Sequence, residues 1–493
     1  MLFKQILDEK LAQYSYLVGC QRTGEALVID PERDVDRYFR MAEEEGLEIV
    51  AVTETHIHAD FLSGARELAE RGVRLVLSGL GGTDWSYRWP EAGGYDVTLL
   101  GDGDAFRVGN VEVRAVHTPG HTPEHVAFLV IDHGGGADEP MGMLSGDFVF
   151  VGDTGRPDLL ESAAGVQGAM QEGAHTLYRS LHRFLDLPDY LQVWPGHGAG
   201  SACGKALGAV PESTVGYERR FSPALVAARE GEDAFVSYVL DAQPEPPLYF
   251  ARMKRLNRDG PPLLGALPRP RRLEVDDLAA VLDDPSGQVV VDTREDRSAF
   301  MRAHLPGAQY APLDRTFPTV TGSYLDPDAR IHLLVDEDRV DEAVRSLIRI
   351  GLDRVEGWAP PSVLEAWRRS GRVLAATEEI DVADMEGRSG PGGATVLDVR
   401  RLSEYREGHF PGALNVAHTR LAERLDEVPA ERPVLVHCRS GSRSAVAASF
   451  LERRGYEAVY VNGLFEDWLA ARTDLDDGPA VVEGAGREEG ATL

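Results

Sequence analysis

The stretch T-H-I-H-A-D-F, Thr55 to Phe61, places two histidines and an aspartate two residues apart, directly after the apolar run from Leu47 to Val52. Residues spaced by two along an extended chain point to one side. His56, His58 and Asp60 are therefore expected to converge on a metal at a strand end. Phe61, next in line, can bind nothing. Further candidates follow: His117-Thr-Pro-Gly-His121, Ser145-Gly-Asp147, Gly155-Arg156-Pro-Asp158 and Pro195-Gly-His197. Each is read as a Gly/Pro turn after an apolar strand, where loops at one edge of a layered domain gather ligands. One histidine is ordinarily a solvated or satisfied side chain. Several strand-end His/Asp elements together point to a metal site.

A second chemistry is carried by Cys438-Arg-Ser-Gly-Ser-Arg443, between the buried run "PVLVH" and the helical "SAVAASFLERRG". A loop that opens a helix offers backbone N–H groups and a positive dipole end to an anion. Such a setting lowers a thiol pKa, and the thiolate is the nucleophile. Arg439, Ser440, Gly441, Ser442 and Arg443 form the expected cradle, with both arginines adding charge. Cys203, six residues after His197, is expected to face the metal pocket. Cys20 lies in the strand-like "YLVGC" and is expected in the core.

The elements that must hold these residues follow from patterning. "YSYLVGC", "EALVID", "EIVAVTET", "VRLVLSG", "VEVRAVHT", "HVAFLVI" and "MGMLSGDFVF" read as strands. "DVDRYFRMAEEEG" and "SGARELAERG" read as helices stopped by Gly46 and Gly72. This predicts a layered α/β domain over residues 1–245. A breaker-rich connector, Gln243-Pro-Glu-Pro-Pro247 through Pro268-Arg-Pro270, spans 246–272. Beyond it, "VVVDTREDRSAFMRAHLPGA" and "TVLDVRRLSEYREGHFPGA" form an internal repeat. Two related domains are expected, 273–373 and 377–475, with a frayed tail over 476–493. Aligning "LLVDE" with "VLVHC" puts Glu337 in place of Cys438, so the first copy reads as inactive.

With 493 residues the chain exceeds one core. A net charge of −30 argues against nucleic acid or an anionic membrane as partner. No run of eighteen apolar residues suggests a membrane span, and the N-terminus does not read as a signal peptide. Three dispersed cysteines, Cys20, Cys203 and Cys438, make a disulfide framework improbable and favour a cytoplasmic protein.

Residues 1–245 resemble the metallo-β-lactamase superfamily in the order H-x-H-x-D, T-P-G-H-T, G-D and P-G-H. The binuclear zinc hydrolases of that family carry a histidine where Phe61 stands, so the resemblance suggests one metal. With G-R-x-D after G-D, the likeness is to persulfide dioxygenases. It implies one Fe(II) per chain on His56, His121 and Asp147, leaving positions open for substrate and O₂. His58, Asp60 and His197 would then orient ligands or a bound water, or be relics of a binuclear ancestor. Arg156 is the expected anchor for a substrate carboxylate. Residues 377–475 resemble rhodanese domains through "DVR", "GHFPGALNV", "CRSGSRS" and "NGLFEDW". The expected architecture is an N-terminal metallo-β-lactamase αββα sandwich followed by two rhodanese-like α/β domains.

The expected chemistry is oxidation of a small thiol persulfide by O₂ to sulfite, with Cys438 moving sulfane sulfur to or from thiosulfate, in a homo-oligomeric protein. Two alternatives stand beside it. One is a binuclear zinc thioester hydrolase of the glyoxalase type, which wants a second metal. The other is a non-catalytic sulfide-responsive binding protein, which leaves the intact Cys438 loop unexplained.

Overall fold

The alternating strands of the N-terminal half build two six-stranded sheets. The first runs in chain order: Leu2–Asp8, Gln13–Cys20, Glu25–Ile29, Glu48–Thr53, Arg74–Ser78 and Val97–Leu100. The second runs Ser213–Thr214, Gln192–Pro195, Gly142–Gly146, Val126–Asp132, Val111–His117, Ala105–Val108. The computed structural model describes residues 1–162, 168–241, 243–389 and 392–473. The expected tail, 476–493, lies outside the described residues. The chain divides into two units, 1–269 with 341–353, and 270–340 with 354 onward.

Period-two burial explains the layers of the first unit. Leu17, Val28 and Val52 pack with Tyr38, Ala42 and Leu68 of the helices Asp36–Glu44 and Ala65–Ala69. Their strand neighbours Tyr16, Val18, Leu27, Ile29 and Ala51 turn the other way and meet Val113, Phe128 and Leu144 of the second sheet. On that sheet's far side, Leu129 and Met143 pack under Leu177, Leu181 and Phe184 of the helix Ala169–Leu185. The order is therefore helices, sheet, sheet, helices. Gly46 and Gly72, both at positive φ (66° and 85°), close the two helices as expected.

The connector departs from expectation. Residues 249–259, flanked by prolines, form a helix that belongs to the first unit. Tyr249, Phe250, Met253, Lys254 and Asn257 are its buried face. The prolines lie outside the helical turns, so they bound the helix rather than break it.

The second unit holds two five-stranded sheets of one topology. Arg271–Arg272, Val355–Ala359, Arg330–Leu334, Gln288–Asp292 and Gln309–Tyr310 follow one another in the first, all paired parallel. Glu378–Asp381, Ala458–Asn462, Val434–His437, Thr395–Asp398 and Leu414–Asn415 repeat that order. Among the described residues no helix is long and apolar enough to cross a membrane.

Candidate metal centre and cysteine loop

The strand Glu48–Thr53 stops before the histidines, so residues 54–62 turn as a loop rather than extending. The period-two expectation fails here for that reason. His56 goes to one set of partners, His58 to another and Asp60 to a third. Asp30, held at φ 50°, collects the loop: it accepts the Thr55 N–H at 2.6 Å, the Thr55 hydroxyl at 2.9 Å and His58 Nε2 at 3.1 Å. Strained backbone at a ligand clamp is tolerated when its surroundings over-determine it. Glu124 accepts the Ile57 N–H at 2.8 Å. Asn257 donates to the His58 and Phe61 carbonyls (2.9 and 2.7 Å) and accepts the Ser63 N–H at 3.0 Å. The Leu62 N–H ends on the Arg349 carbonyl at 2.7 Å.

These contacts fix the histidine tautomers. Thr55 Oγ1 gives its proton to Asp30, so it accepts from His56 Nδ1–H at 3.0 Å. His121 Nδ1 meets the Arg156 carbonyl at 3.2 Å and His197 Nδ1 the Ala12 carbonyl at 3.2 Å. A carbonyl only accepts, so each Nδ1 carries the proton and each Nε2 keeps its lone pair. Those lone pairs face Asp147: His56 Nε2 and His121 Nε2 lie 3.9 and 3.6 Å from Oδ2, and His197 Nε2 lies 3.5 Å from Oδ1. The strand Gly142–Gly146 delivers Asp147 through a bulge at Gly146, whose φ is 52°. His125 braces it from behind. Its Nε2 accepts the Asp147 N–H at 3.1 Å, and its Nδ1–H points to Thr118 Oγ1 at 2.7 Å.

One donor atom each from His56, His121 and Asp147 lies within 4.8 Å of the others, and Asp60, His197 and Cys203 form a second such group. All six residues are buried. Both Asp147 oxygens, Asp60 Oδ2 and His197 Nε2 lack a hydrogen-bond partner. Buried carboxylates without partners are costly, and a cation removes that cost. Burial pushes Asp60 and Asp147 each up to about 6, a direction a bound cation reverses. Burial likewise pushes His56 and His121 well below the usual histidine range, keeping them neutral donors. The residues thus fit a metal ion by donor type, tautomer and orphaned charge.

Other expected site residues stand elsewhere. His58 is turned onto Asp30. Burial opposes its charge, but Asp30 and Glu54 outweigh it and raise His58 to about 9, an imidazolium under the loop. Asp60 lies 3.4 Å from His197 Nε2. Phe61, fully buried, packs against the His58 ring at 4.4 Å. Cys203 faces the pocket, and burial pushes its thiol well above the usual range. Cys20 is buried and receives the Asn110 N–H at 3.2 Å.

Arg156 corrects the sequence reading. Its guanidinium grips Asp158 through Nε and Nη2 (2.8 and 2.5 Å) and donates to the Ala202 and Pro244 carbonyls (2.8 and 2.7 Å). It is 1% exposed. A guanidinium spent on an internal carboxylate and on two backbone carbonyls, one of them in the turn at Cys203, is a brace, not a free anchor.

The cation that sequence reasoning missed is Lys254, on the buried face of the helix Tyr249–Asp259 and one turn from Asn257. It is 5% exposed, lies 4.4 Å over the Trp85 ring, and its Nζ has no hydrogen-bond partner. Burial pulls its pKa down to about 8 despite Glu124, Cys203 and Asp147 nearby. Its signal was scarcity, since Lys4, Lys10, Lys205 and Lys254 are the only lysines in an arginine-rich chain.

The cysteine loop joins the strand Val434–His437 to the helix Ser442–Arg453. Gly441, at φ 91°, gives its N–H to Cys438 Sγ at 3.2 Å. The charge assignment changes, however. Arg443 forms a bidentate pair with Glu404 (2.6 and 2.7 Å), and Arg439 pairs with Glu466 at 2.5 Å. Sheet register also moves the counterpart in the first copy. Asp398 pairs with His437, and its repeat mate Asp292 pairs with Leu334. The next residue is Val335, not Glu337; the apolar alignment had slipped by two because both loops begin with similar strands. The conclusion that no nucleophile stands there is unaffected.

Comparison with known proteins places these features. Residues 9–197 match the model of the metallo-beta-lactamase superfamily, and residues 381–471 that of the rhodanese-like domain. A solved metallo-beta-lactamase from Staphylococcus aureus subsp. aureus COL is 41% identical, with a TM-score of 0.66, over 73% of this chain and 99% of that one. The chain belongs to the metallo-β-lactamase superfamily. Its metallo-β-lactamase domain is joined to a C-terminal rhodanese-like domain. Mitochondrial persulfide dioxygenase ETHE1 of Bos taurus is 29% identical over 47% of this chain and 78% of its own. Hydroxyacylglutathione hydrolase of Rhodospirillum rubrum is 32% identical over 37% of this chain and 61% of its own.

Proposed function

We propose that the first unit oxidises a low-molecular-weight thiol persulfide, R–S–SH + O₂ + H₂O giving R–SH, sulfite and protons, and that Cys438 of the second unit moves sulfane sulfur between persulfide, sulfite and thiosulfate. The carrying observation is the set of neutral Nε2 donors of His56 and His121 around the unpartnered Asp147 carboxylate. Likeness to persulfide dioxygenase ETHE1 supports the choice of reaction.

His56, His121 and Asp147 would hold a single Fe(II). Bound there, the iron supplies the site at which O₂ and a sulfur ligand react side by side. The chain's own residues do the remaining work. Thr55, the Arg156 carbonyl and the Ala12 carbonyl keep the imidazoles turned, so no reorganisation is needed at reaction. Lys254 meets the anionic persulfide sulfur, because an ammonium buried without a partner is satisfied by an incoming anion. His197 and Asp60 orient water beside it. In the second unit, residues 377–475 act as the sulfur carrier, and 273–373 is a degenerate repeat of it.

A second reading draws on the Asp60, His197 and Cys203 group. It would bind a second metal, with Cys203 standing in for the ligand that Phe61 denies, and favour a thioester hydrolase. Metal analysis of protein purified without added metal, with oxygen uptake on persulfide, separates the two. One equivalent of iron and uptake are expected, both lost in His121→Ala. Two zinc ions with thioester cleavage would overturn the proposal.

A further inference from the structure

Glu124 is fully buried in the turn between His121 and the strand Val126–Asp132. Its Oε1 accepts the Ile57 N–H at 2.8 Å, which fixes the carboxylate beneath the loop that carries His56. Its Oε2 has no hydrogen-bond partner. The hydroxyls of Thr122, beside it, and of Tyr87, which feels its charge, are also buried without one. So is the Lys254 ammonium. Lys254 and Glu124 are each the leading charge acting on the other, yet Nζ and Oε2 stay unbonded. A protein rarely leaves four buried polar atoms open in one neighbourhood unless something else fills their bonds.

The chain covers this place closely. Gly81 has no room for a side chain, since a Cβ there would press on Glu124 Cβ and the Trp85 carbonyl, so the segment from Gly81 to Tyr87 lies directly on Glu124. The Trp85 ring spreads 4.4 Å over Lys254 Nζ and is only half-buried, so this cover reaches the surface. An ammonium and a carboxylate oxygen held apart suit a ligand that is anionic at one atom and an N–H donor a short way off. A second ammonium on that ligand would meet Lys254 with like charge, so the donor fits as a neutral amide. The Thr122 and Tyr87 hydroxyls can then donate to the amide carbonyl.

We propose that Glu124 Oε2 accepts an amide N–H carried two carbons from the sulfur of the substrate, so that the metal site selects persulfides of β-amido thiols. The inference rests on the persulfide reading of that site and names its substrate class. Lys254 takes the anionic sulfur, and Glu124 takes the N–H of the same molecule. A thiol with a hydrocarbon or an ester oxygen in that place strips water from Oε2 and returns no bond. A site built around a hydrogen bond rejects an isostere in this way, because its own buried group is left unpaired. No bond is made or broken at Glu124; it decides which thiol is held.

The test uses the full chain and a matched pair of persulfides, from N-acetylcysteamine and from its oxygen isostere 2-mercaptoethyl acetate. In oxygen uptake the amide should exceed the ester in kcat/KM by roughly tenfold to a hundredfold, the value of one charge-assisted contact. The persulfide of cysteamine, with an ammonium in place of the amide, should also fall below it. Glu124→Gln keeps an oxygen for the Ile57 N–H and turns an NH₂ group to the substrate, so the amide's advantage should vanish or invert. A second measurement needs no turnover: calorimetric binding of the two parent thiols without oxygen should follow the same order. Equal kcat/KM and equal affinity for amide and ester overturn the proposal in the unaltered protein, whatever the variant does to folding or metal. A preference unchanged in Glu124→Gln also overturns it, since the N–H is then read elsewhere. If no persulfide is oxidised but the thiols bind in the expected order, the persulfide reading fails and the assignment of Glu124 stands.

Discussion

Replacing Arg349 by methionine should loosen the metal loop from outside. Arg349 ends the helix Val340–Arg349, and residues 341–353 belong to the first unit. Its guanidinium holds Asp34 through Nε and Nη2 (2.9 and 2.7 Å) and Asp8 through Nη1 (2.5 Å), with Glu32 at 3.1 Å. The side chains of Asp34 and Glu32 are 0% exposed and that of Asp8 is 4%. Breaking a buried pair leaves an uncompensated charge and costs about 3–5 kcal/mol. Here the acids keep other partners: Arg345 for Asp34 (2.9 Å), Arg37 for Glu32 (2.5 Å), and the Lys10 and Leu11 N–H groups for Asp8 (2.7 and 3.0 Å). The lower end, about 3 kcal/mol, is therefore expected.

The electrostatics of Asp34 point in the same direction. Burial alone would raise Asp34, but Arg349 and Arg345 outweigh it and hold it at about 2, below the ordinary 3.8. A depression of that size is worth roughly 2 kcal/mol. Because the folded value is lowered, this stability is fully present above pH 3.8 and is lost as pH falls through about 2. Glu32 runs the other way, pushed up to about 8 by burial against Arg349 and Arg37, so its share is lost as pH rises through that value. The assay is amide hydrogen exchange over residues 55–64, which contain the Leu62 N–H bonded to the Arg349 carbonyl. A loss of about 3 kcal/mol predicts protection reduced on the order of a hundredfold. A change under about fivefold, the scale of an exposed pair, would refute the reasoning.

Other variants test single contacts. Asn257→Ala strips donors from the His58 and Phe61 carbonyls and should cost roughly 1–3 kcal/mol for each group left unsatisfied, read as weaker metal retention during dialysis against a chelator. Arg156→Ala should remove the bidentate pair with Asp158 and the two bonds to the Ala202 and Pro244 carbonyls, lower thermal stability by about 3 kcal/mol, and raise the alkylation rate of Cys203; a selective rise in KM for carboxylate-bearing thiols with stability intact would restore it as an anchor. Cys438→Ser should keep oxygen uptake but abolish sulfur transfer, shifting the product from thiosulfate to sulfite by chromatography, after subtraction of the uncatalysed reaction. Thiosulfate formed at the parent rate would make Cys203 the next candidate.

Much of the architecture was legible because it rests on period and punctuation. The runs that read as strands became strands, since alternate residues had to reach two different packing layers. The helix Tyr249–Asp259 was hidden by its prolines, which are strong local signals but act only on their own turn. His56, His121 and Asp147 were legible as donor types next to turn residues. That His58 would leave the group was not, because spacing by two carries meaning only while the chain stays extended, and the strand ends at Thr53. His125 sits in the quoted neighbourhood of His121, yet only its hydrogen bonds to Asp147 and Thr118 distinguish it.

Charge was the least legible property, for a physical reason. Arg156, Arg439 and Arg443 stand beside the motifs in sequence, and proximity suggested that each faces a substrate. Each is instead matched by a carboxylate: Asp158 two residues away, Glu466 and Glu404 much further along the chain. A guanidinium so paired has little field left for an incoming anion. Lys254, whose Nζ has no hydrogen-bond partner, comes instead from a helix in the connector. It lies far in sequence from the residues it would serve. What reaches a substrate is the charge that remains after internal pairing, and pairing is decided by tertiary contacts. A segment that looks dispensable, a proline-flanked connector, can therefore supply the charge that an incoming anion would meet.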